Sequence, residues 1–257
     1  MFKVAKLKIC DFYINNNYYF FCAFALKDHM KILFTKSLDK KEVAEKLGTE
    51  MLLDFVEVIK TAVIKVKTFE LKNNSLIFTS VNGVKAFFDN AFDANENFAE
   101  KHYNKIYAVG SQTKKELRKH HFGTFKLCKN AAELSQFIIE NSVEEKFLHF
   151  CGNLALDILD EKLPLQNISY KKIPVYKTEL LFPKITEKYQ AVVFFSPSGV
   201  RSFAKFNSLE DLTIFSIGKT TTSELKKLTE NKIITSPKNT LTDLLNLISK
   251  DASTGSA

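Results

Sequence analysis

Serines, threonines and glycines at four places in the chain have the types and spacing to bind an anion. In Ile77-Phe-Thr-Ser-Val-Asn-Gly-Val84 and Phe194-Phe-Ser-Pro-Ser-Gly-Val200, Ser80, Gly83 and Val84 correspond to Ser196, Gly199 and Val200. In Tyr107-Ala-Val-Gly-Ser-Gln-Thr113 and Phe215-Ser-Ile-Gly-Lys-Thr-Thr221, Gly110 and Thr113 correspond to Gly218 and Thr221, and Leu117 and Leu225 continue the match. Each motif lies where an apolar run gives way to an amphipathic one, the junction of a strand's carboxyl end with a helix. Glycines let the backbone turn there, and the freed N–H groups and dipole of a helix start attract negative charge without a charged side chain. Taken singly, Thr79, Ser80, Thr113, Ser196 and Thr221 are equally well explained as caps and turn formers. Their recurrence at one edge of two repeated units favours binding.

Other chemistry is absent. The sequence has no G-x-x-x-x-G-K-[ST], G-x-G-x-x-G or G-x-S-x-G motif. Phe195-Ser-Pro-Ser-Gly has only a superficial likeness to a hydrolase elbow, with no histidine as partner. Cys10, Cys22, Cys128 and Cys151 lack metal-ligand spacing and read as free thiols in a reducing compartment. The five histidines are scattered, so no metal site is expected. The motif loops carry no carboxylates, and an enzyme built this way acts mainly by binding and positioning.

The elements that must position these loops follow from periodicity. Strands are expected at Lys31–Thr35, Ser75–Thr79, Lys105–Val109, Phe125–Cys128, Lys146–Cys151, Ala191–Phe195, Leu212–Ile217 and Lys232–Thr235. Most are apolar runs without alternation, as in strands covered on both faces. Helices are expected between them, with Lys40–Leu47 ending at Gly48 and Gln112–His121 ending before Gly123 as glycine caps. Asn130 with Glu133 and Thr240 with Asp243 have capping-pair spacing. Strand alternating with helix predicts an α/β class with mainly parallel sheet, and the repeats predict two sibling domains. Val56–Val66 and Lys172–Leu180 break the rhythm. They read as long strands that pair antiparallel and connect the domains, or else as edge strands of one large sheet.

The chain has 257 residues and a net charge of +8, yet its only arginines are Arg118 and Arg201. Nucleic-acid readers rely on arginine forks, so that class is disfavoured. A moderately basic surface suits a small polyanion, or is simply a solvated lysine-rich face. Residues 1–30 stand apart. Lys3, Lys6 and Lys8 precede a short apolar run, Tyr18 to Leu26, too short to span a bilayer; an upstream extension is favoured over a secretory signal. Residues 251–257 are expected to be frayed.

From Lys31 to about Lys250 the chain resembles the uroporphyrinogen-III synthase family. The resemblance rests on Phe78-Thr-Ser-Val-Asn-Gly-Val84, Phe150-Cys-Gly-Asn153, Val175-Tyr-Lys-Thr178, Phe194-Phe-Ser-Pro-Ser-Gly-Val200 and the glycine–threonine pairs ending at Thr113 and Thr221. Where many bacterial members have Thr-Arg-Pro, this chain has Thr35-Lys36-Ser37 after Phe34. The resemblance implies two similar parallel-sheet α/β domains joined by a two-stranded antiparallel β ladder, with the active site in the cleft between them. The first domain would use 31–57 and 181–250, the second 67–170, and the linker strands 58–66 and 171–180. It implies a cytoplasmic monomer without cofactor, metal, nucleic acid or membrane partner. The substrate would be hydroxymethylbilane, a linear tetrapyrrole with eight carboxylates, closed with loss of water and inversion of ring D. Tyr176 would be the acid. Substrate contacts would fall on Thr79, Ser80, Asn82 and Gly83; on Gly110 and Thr113; on Cys151, Gly152 and Asn153; on Ser196, Ser198 and Gly199; and on Gly218, Thr220 and Thr221. A non-catalytic ligand-sensing module of the same fold is the alternative.

Overall fold

The computed structural model describes residues 30–48, 51–94 and 103–254. The expected extension at 1–30 lies almost wholly outside them. In chain order the elements are β1 (Lys31–Phe34), α1 (Lys40–Leu47), β2 (Leu52–Phe55), β3 (Ile59–Val63), β4 (Ser75–Phe78), α2 (Val81–Asp89) and β5 (Ile106–Val109). Then come α3 (Ser111–Lys119), β6 (Lys126–Cys128), α4 (Ala131–Asn141), β7 (Phe147–Gly152), α5 (Ile158–Lys162) and β8 (Tyr170–Leu180). The chain finishes with β9 (Ala191–Phe194), α6 (Pro197–Ala204), β10 (Thr213–Ser216), α7 (Lys219–Leu225), β11 (Ile233–Thr235) and α8 (Leu241–Thr254).

The strands form two sheets. One has the order β11-β10-β9-β1-β2 and is parallel throughout. The other has the order β3-β8-β7-β4-β5-β6 and is parallel except that β3 runs against β8. Central strands are buried on both faces, which is why they read as unbroken apolar runs. Ile32 and Phe34 of β1 enter one core cluster with Val193 and Phe215, while Leu33 enters another with Val192, Phe194 and Ile214. In the second sheet Leu76, Phe78 and Phe150 face one side, and Ile77, Tyr107 and Phe147 the other.

Four expectations need correction. First, β2 falls in a stretch where no separate strand was expected, pairing with β1 from Lys31↔Leu52 to Phe34↔Phe55. Second, the strand expected over Val56–Val66 is only Ile59–Val63, whereas its partner lengthens to Tyr170–Leu180. The two pair antiparallel from Ile59↔Leu180 to Val63↔Tyr176, as the edge of the six-stranded sheet. Third, Gly48 caps α1 with φ 83°, but α3 ends differently. There His121 takes the left-handed turn at φ 65°, and Phe122 N–H bonds the Leu117 carbonyl at 3.0 Å, so the chain has already turned before Gly123. Fourth, α8 runs to Thr254, into the stretch expected to fray. Both capping pairs form: Asn130 Oδ1 accepts from Glu133 N–H at 2.8 Å, and Thr240 Oγ1 from Asp243 N–H at 3.2 Å. Among the described residues no helix is long and apolar enough to cross a membrane.

Candidate active site

Parallel pairing puts the ends of β4, β5 and β7 on one sheet edge and those of β1, β9 and β10 on the corresponding edge of the other. Ser80, just after β4, is extended and caps α2, its Oγ accepting from Gly83 N–H at 3.0 Å. Helix α2 is anchored by Phe87, whose ring meets Phe78 and Phe150 edge-on at 5.3 and 4.8 Å. Close approach demands the glycine at 83: a Cβ there would lie 2.7 Å from the Phe150 carbonyl oxygen.

Tyr176 reaches the same place from β8. The register between β7 and β8 shifts, pairing Cys151 with Pro174 but Gly152 with Tyr176. That irregularity bulges β8 at Val175, next to a proline that has no N–H to donate to a ladder. It lets Val175 enter the core and Tyr176 still pack against the same cluster. The Tyr176 hydroxyl stands 3.0 Å from Ser80 Oγ. Its ring lies so close over Gly152 that a Cβ there would come within 2.5 Å of Cζ and 2.8 Å of the hydroxyl. Burial pushes the phenol pKa above its usual value, with the Ser80 hydrogen bond pulling the other way.

The loop after β7 is fastened to β8. Asn153 N–H donates to the Tyr176 carbonyl at 3.1 Å, and Asn153 Oδ1 accepts from Thr178 N–H at 2.7 Å. Lys172 ties the same loop down by bonding Asp157 and Asp160 at 2.8 and 2.7 Å, an anchor that sequence patterns did not indicate. Cys151 is buried, and burial lifts its thiol to about 11, so it stays protonated and is no nucleophile. Beside Ser80, Thr79 Oγ1 lies 2.9 Å from His149 Nε2, and His149 Nδ1 lies 2.7 Å from the Tyr170 hydroxyl. Burial first, and then the Lys172 charge, depress the imidazole to about 3, so it is neutral.

On the five-stranded sheet, Ser196 repeats the role of Ser80, its Oγ accepting from Gly199 N–H at 3.0 Å with Ser198 Oγ 3.1 Å away. The glycine–threonine pairs behave otherwise. Gly110 and Gly218 start α3 and α7 with no side-chain cap of their own; the Gly218 N–H donates to Ser216 Oγ at 3.4 Å, and among the described residues no side chain accepts from the N–H groups of Ser111 to Thr113 or Lys219 to Thr221. Thr113 and Thr221 are each 3% exposed, so their hydroxyls sit in the packing and only the backbone around them can meet a ligand. Asn82 and Thr220 are exposed. The structure thus brings together Ser80, Gly83, Gly152, Asn153 and Tyr176. Among the described residues no hydrogen bond joins that group to Ser196 and Ser198. Two surface hollows lie elsewhere, one of about 290 Å³ beside Asp54 and Tyr189, the other of about 630 Å³ around Asn207 and Lys226.

Residues 52–246 match the family model described as uroporphyrinogen-III synthase HemD. The chain belongs to the uroporphyrinogen-III synthase family. Solved synthases share its fold. The uroporphyrinogen-III synthetase of Helicobacter pylori superposes with a TM-score of 0.59 at 20% identity, over 86% of this chain and 99% of that one. A mutant uroporphyrinogen-III synthase of the extremely thermophilic bacterium Thermus thermophilus gives 0.61 at 11% identity, over 88% and 99%. No curated protein matches the chain. Membership in the synthase family implies an enzyme of tetrapyrrole biosynthesis with a small-molecule substrate, built as two sheets of mixed α/β structure.

Proposed function

We propose that the protein is a uroporphyrinogen-III synthase that cyclises hydroxymethylbilane with loss of water and inversion of ring D. The observation that carries this reading is the Ser80–Tyr176–Gly152 contact, a phenol held against a glycine and a helix cap at the carboxyl edge of a parallel sheet. Ser80 Oγ already accepts from Gly83 N–H, so its own hydrogen is free to donate to the Tyr176 oxygen. The phenolic hydrogen then points away from Ser80 and is available to the departing hydroxyl. Proton transfer releases water and leaves the N-protonated azafulvene cation beside the phenolate. The Ser80 hydrogen bond steadies the phenolate until the proton shed at ring closure restores it.

The azafulvene carbon bonds to the substituted carbon of ring D to give a spiro intermediate; the original bridge bond at that carbon then breaks and re-forms at the free α-carbon, which sheds its proton, and the macrocycle closes with ring D inverted. Every step is a proton transfer or a bond change at pyrrole carbons, so the chain needs no redox group. Closure without an enzyme gives the uninverted isomer, and the protein's task is to hold one folded conformer of a reactive chain. Main-chain N–H groups at the starts of α2, α3, α6 and α7 are the proposed partners of the eight carboxylates. The enzyme is proposed to work as a cytoplasmic monomer. The test supplies freshly made hydroxymethylbilane and measures the isomer ratio of the uroporphyrinogen formed. A product that is mainly isomer III supports the reading, and the ratio of spontaneous closure sinks it.

A further inference from the structure

The neutral His149 has one N–H and one lone pair to share between two hydroxyls. Its chain with Thr79 and Tyr170 therefore has two possible directions. In one, Tyr170 donates to Nδ1, Nε2–H donates to Thr79, and the Thr79 hydrogen is left over. In the other, Thr79 donates to Nε2, Nδ1–H donates to Tyr170, and the phenolic hydrogen is left over. Among the described residues His149 is the sole hydrogen-bond partner of both hydroxyls. The choice follows from acidity and place. A phenol is a far stronger acid than an aliphatic alcohol, so it is the better donor to the imidazole lone pair. In this direction the spare hydrogen falls on Thr79, at the sheet edge next to Ser80.

We propose that Tyr170 and His149 are positioning residues that set the Thr79 hydroxyl as a hydrogen-bond donor to a substrate carboxylate. The inference rests on the reading of this edge as the binding site for hydroxymethylbilane. Thr79 would touch the substrate, while His149 and Tyr170 act through it. Without Tyr170 the Nδ1 lone pair has no donor, the imidazole ring is no longer held in place, and the Thr79 hydrogen is no longer fixed toward the carboxylate.

Two measurements on the full chain test this. The first needs no substrate: ¹⁵N-histidine NMR should show His149 protonated at Nε2 and bare at Nδ1, with the Nδ1 signal moving toward that of a lone pair without a hydrogen bond in Tyr170→Phe. The opposite tautomer in the unmodified protein overturns the relay, whatever the chain does to hydroxymethylbilane. The second is kinetic. Tyr170→Phe keeps the ring and its packing, and should raise KM about tenfold with kcat within about twofold, the mark of lost binding common to ground and transition states. Thr79→Val should do the same, and Thr79→Val/Tyr170→Phe should be no worse than Thr79→Val alone. Additive losses, or an unchanged KM in Tyr170→Phe, would overturn a role through Thr79. An unmodified chain that yields only spontaneous product sinks the proposed function, and the NMR result still judges the direction of the relay.

Discussion

At the scale of single residues, the site is a matter of which hydrogens remain unspent. Tyr176→Phe removes one proton donor and almost no packing. General-acid assistance is worth ~10²–10⁴-fold, and this leaving group departs fairly readily, so kcat should fall by about 10²-fold or less with KM little changed. The residual product should remain isomer III, because ring placement is set by shape. Wild-type rates would remove the acid role, and a normal rate with the uninverted isomer would make Tyr176 a steric guide. Gly152→Ala tests the same geometry from below. Its methyl would enter the space of the phenol, so kcat should fall at least as far as in Tyr176→Phe, with about 1–3 kcal/mol of stability lost to overpacking; a chain with normal kcat and stability would refute the contact. His149 carries a pH prediction. Its folded value near 3 lies below the ordinary 6.5, so below pH 6.5 the unfolded chain holds the extra proton. Stability from this group is whole above that pH and falls as pH drops toward 3, by about 2 kcal/mol between pH 6.5 and 5. Urea unfolding at pH 7 and 5 should show this loss in the parent chain and not in His149→Gln. Equal slopes in both would exclude the imidazole as its source.

At the scale of elements, helix ends carry a prediction of their own. His121 holds φ 65°, which costs an L-residue about 1–2 kcal/mol, partly regained as unfolded-state entropy when glycine replaces it. His121→Gly should therefore raise stability by about 0.5–1 kcal/mol, seen as a higher Tm, and a lower Tm would contradict the strain argument. The same corner shows what sequence can and cannot tell. A glycine two residues beyond the α3 pattern looks like the cap, yet the Phe122 N–H returning to Leu117 closes the helix before the glycine is reached. Eight strands were readable, six of them because burial on both faces writes an unbroken apolar run, and the edge strands β6 and β11 as short runs between turns. β2 was not, because Asp54 interrupts it and Val56 onward reads as its continuation. Asp54 is tolerated at the sheet edge by the Tyr189 hydroxyl at 3.0 Å and Lys31 at 3.3 Å, partners distant in sequence. His149 was passed over for the same reason: its partners lie 70 residues before it and 21 after. The repeats revealed Ser80 and Ser196 as a matched pair of caps, but not that Thr113 and Thr221 would be buried.

At the scale of the whole molecule, a net charge of +8 would meet the eight carboxylates of the proposed substrate. Exposed lysines are screened within about 8–10 Å at ordinary ionic strength, whereas oriented amides at a site are screened much less. Raising salt from about 0.05 to 0.5 M should increase KM by about three- to tenfold and leave kcat almost unchanged. A collapse of binding would shift the credit from backbone to lysines.

The order of the five-stranded sheet also has a consequence in time. Its interior strand β1 is made first, yet one neighbour, β9, comes much later: Thr35 bonds the carbonyl of Val193 across 158 residues. Strands β3 to β8 form one contiguous stretch whose sheet is complete before β9 exists. At about 5–20 residues per second of synthesis, β1 waits roughly 8–30 s for that partner. During that interval the apolar Ile32-Leu33-Phe34 has half its pairing missing, while the six-stranded sheet is synthesised strand by strand. On the ribosome this chain closes from its middle outward, and its beginning is the part most in need of a chaperone.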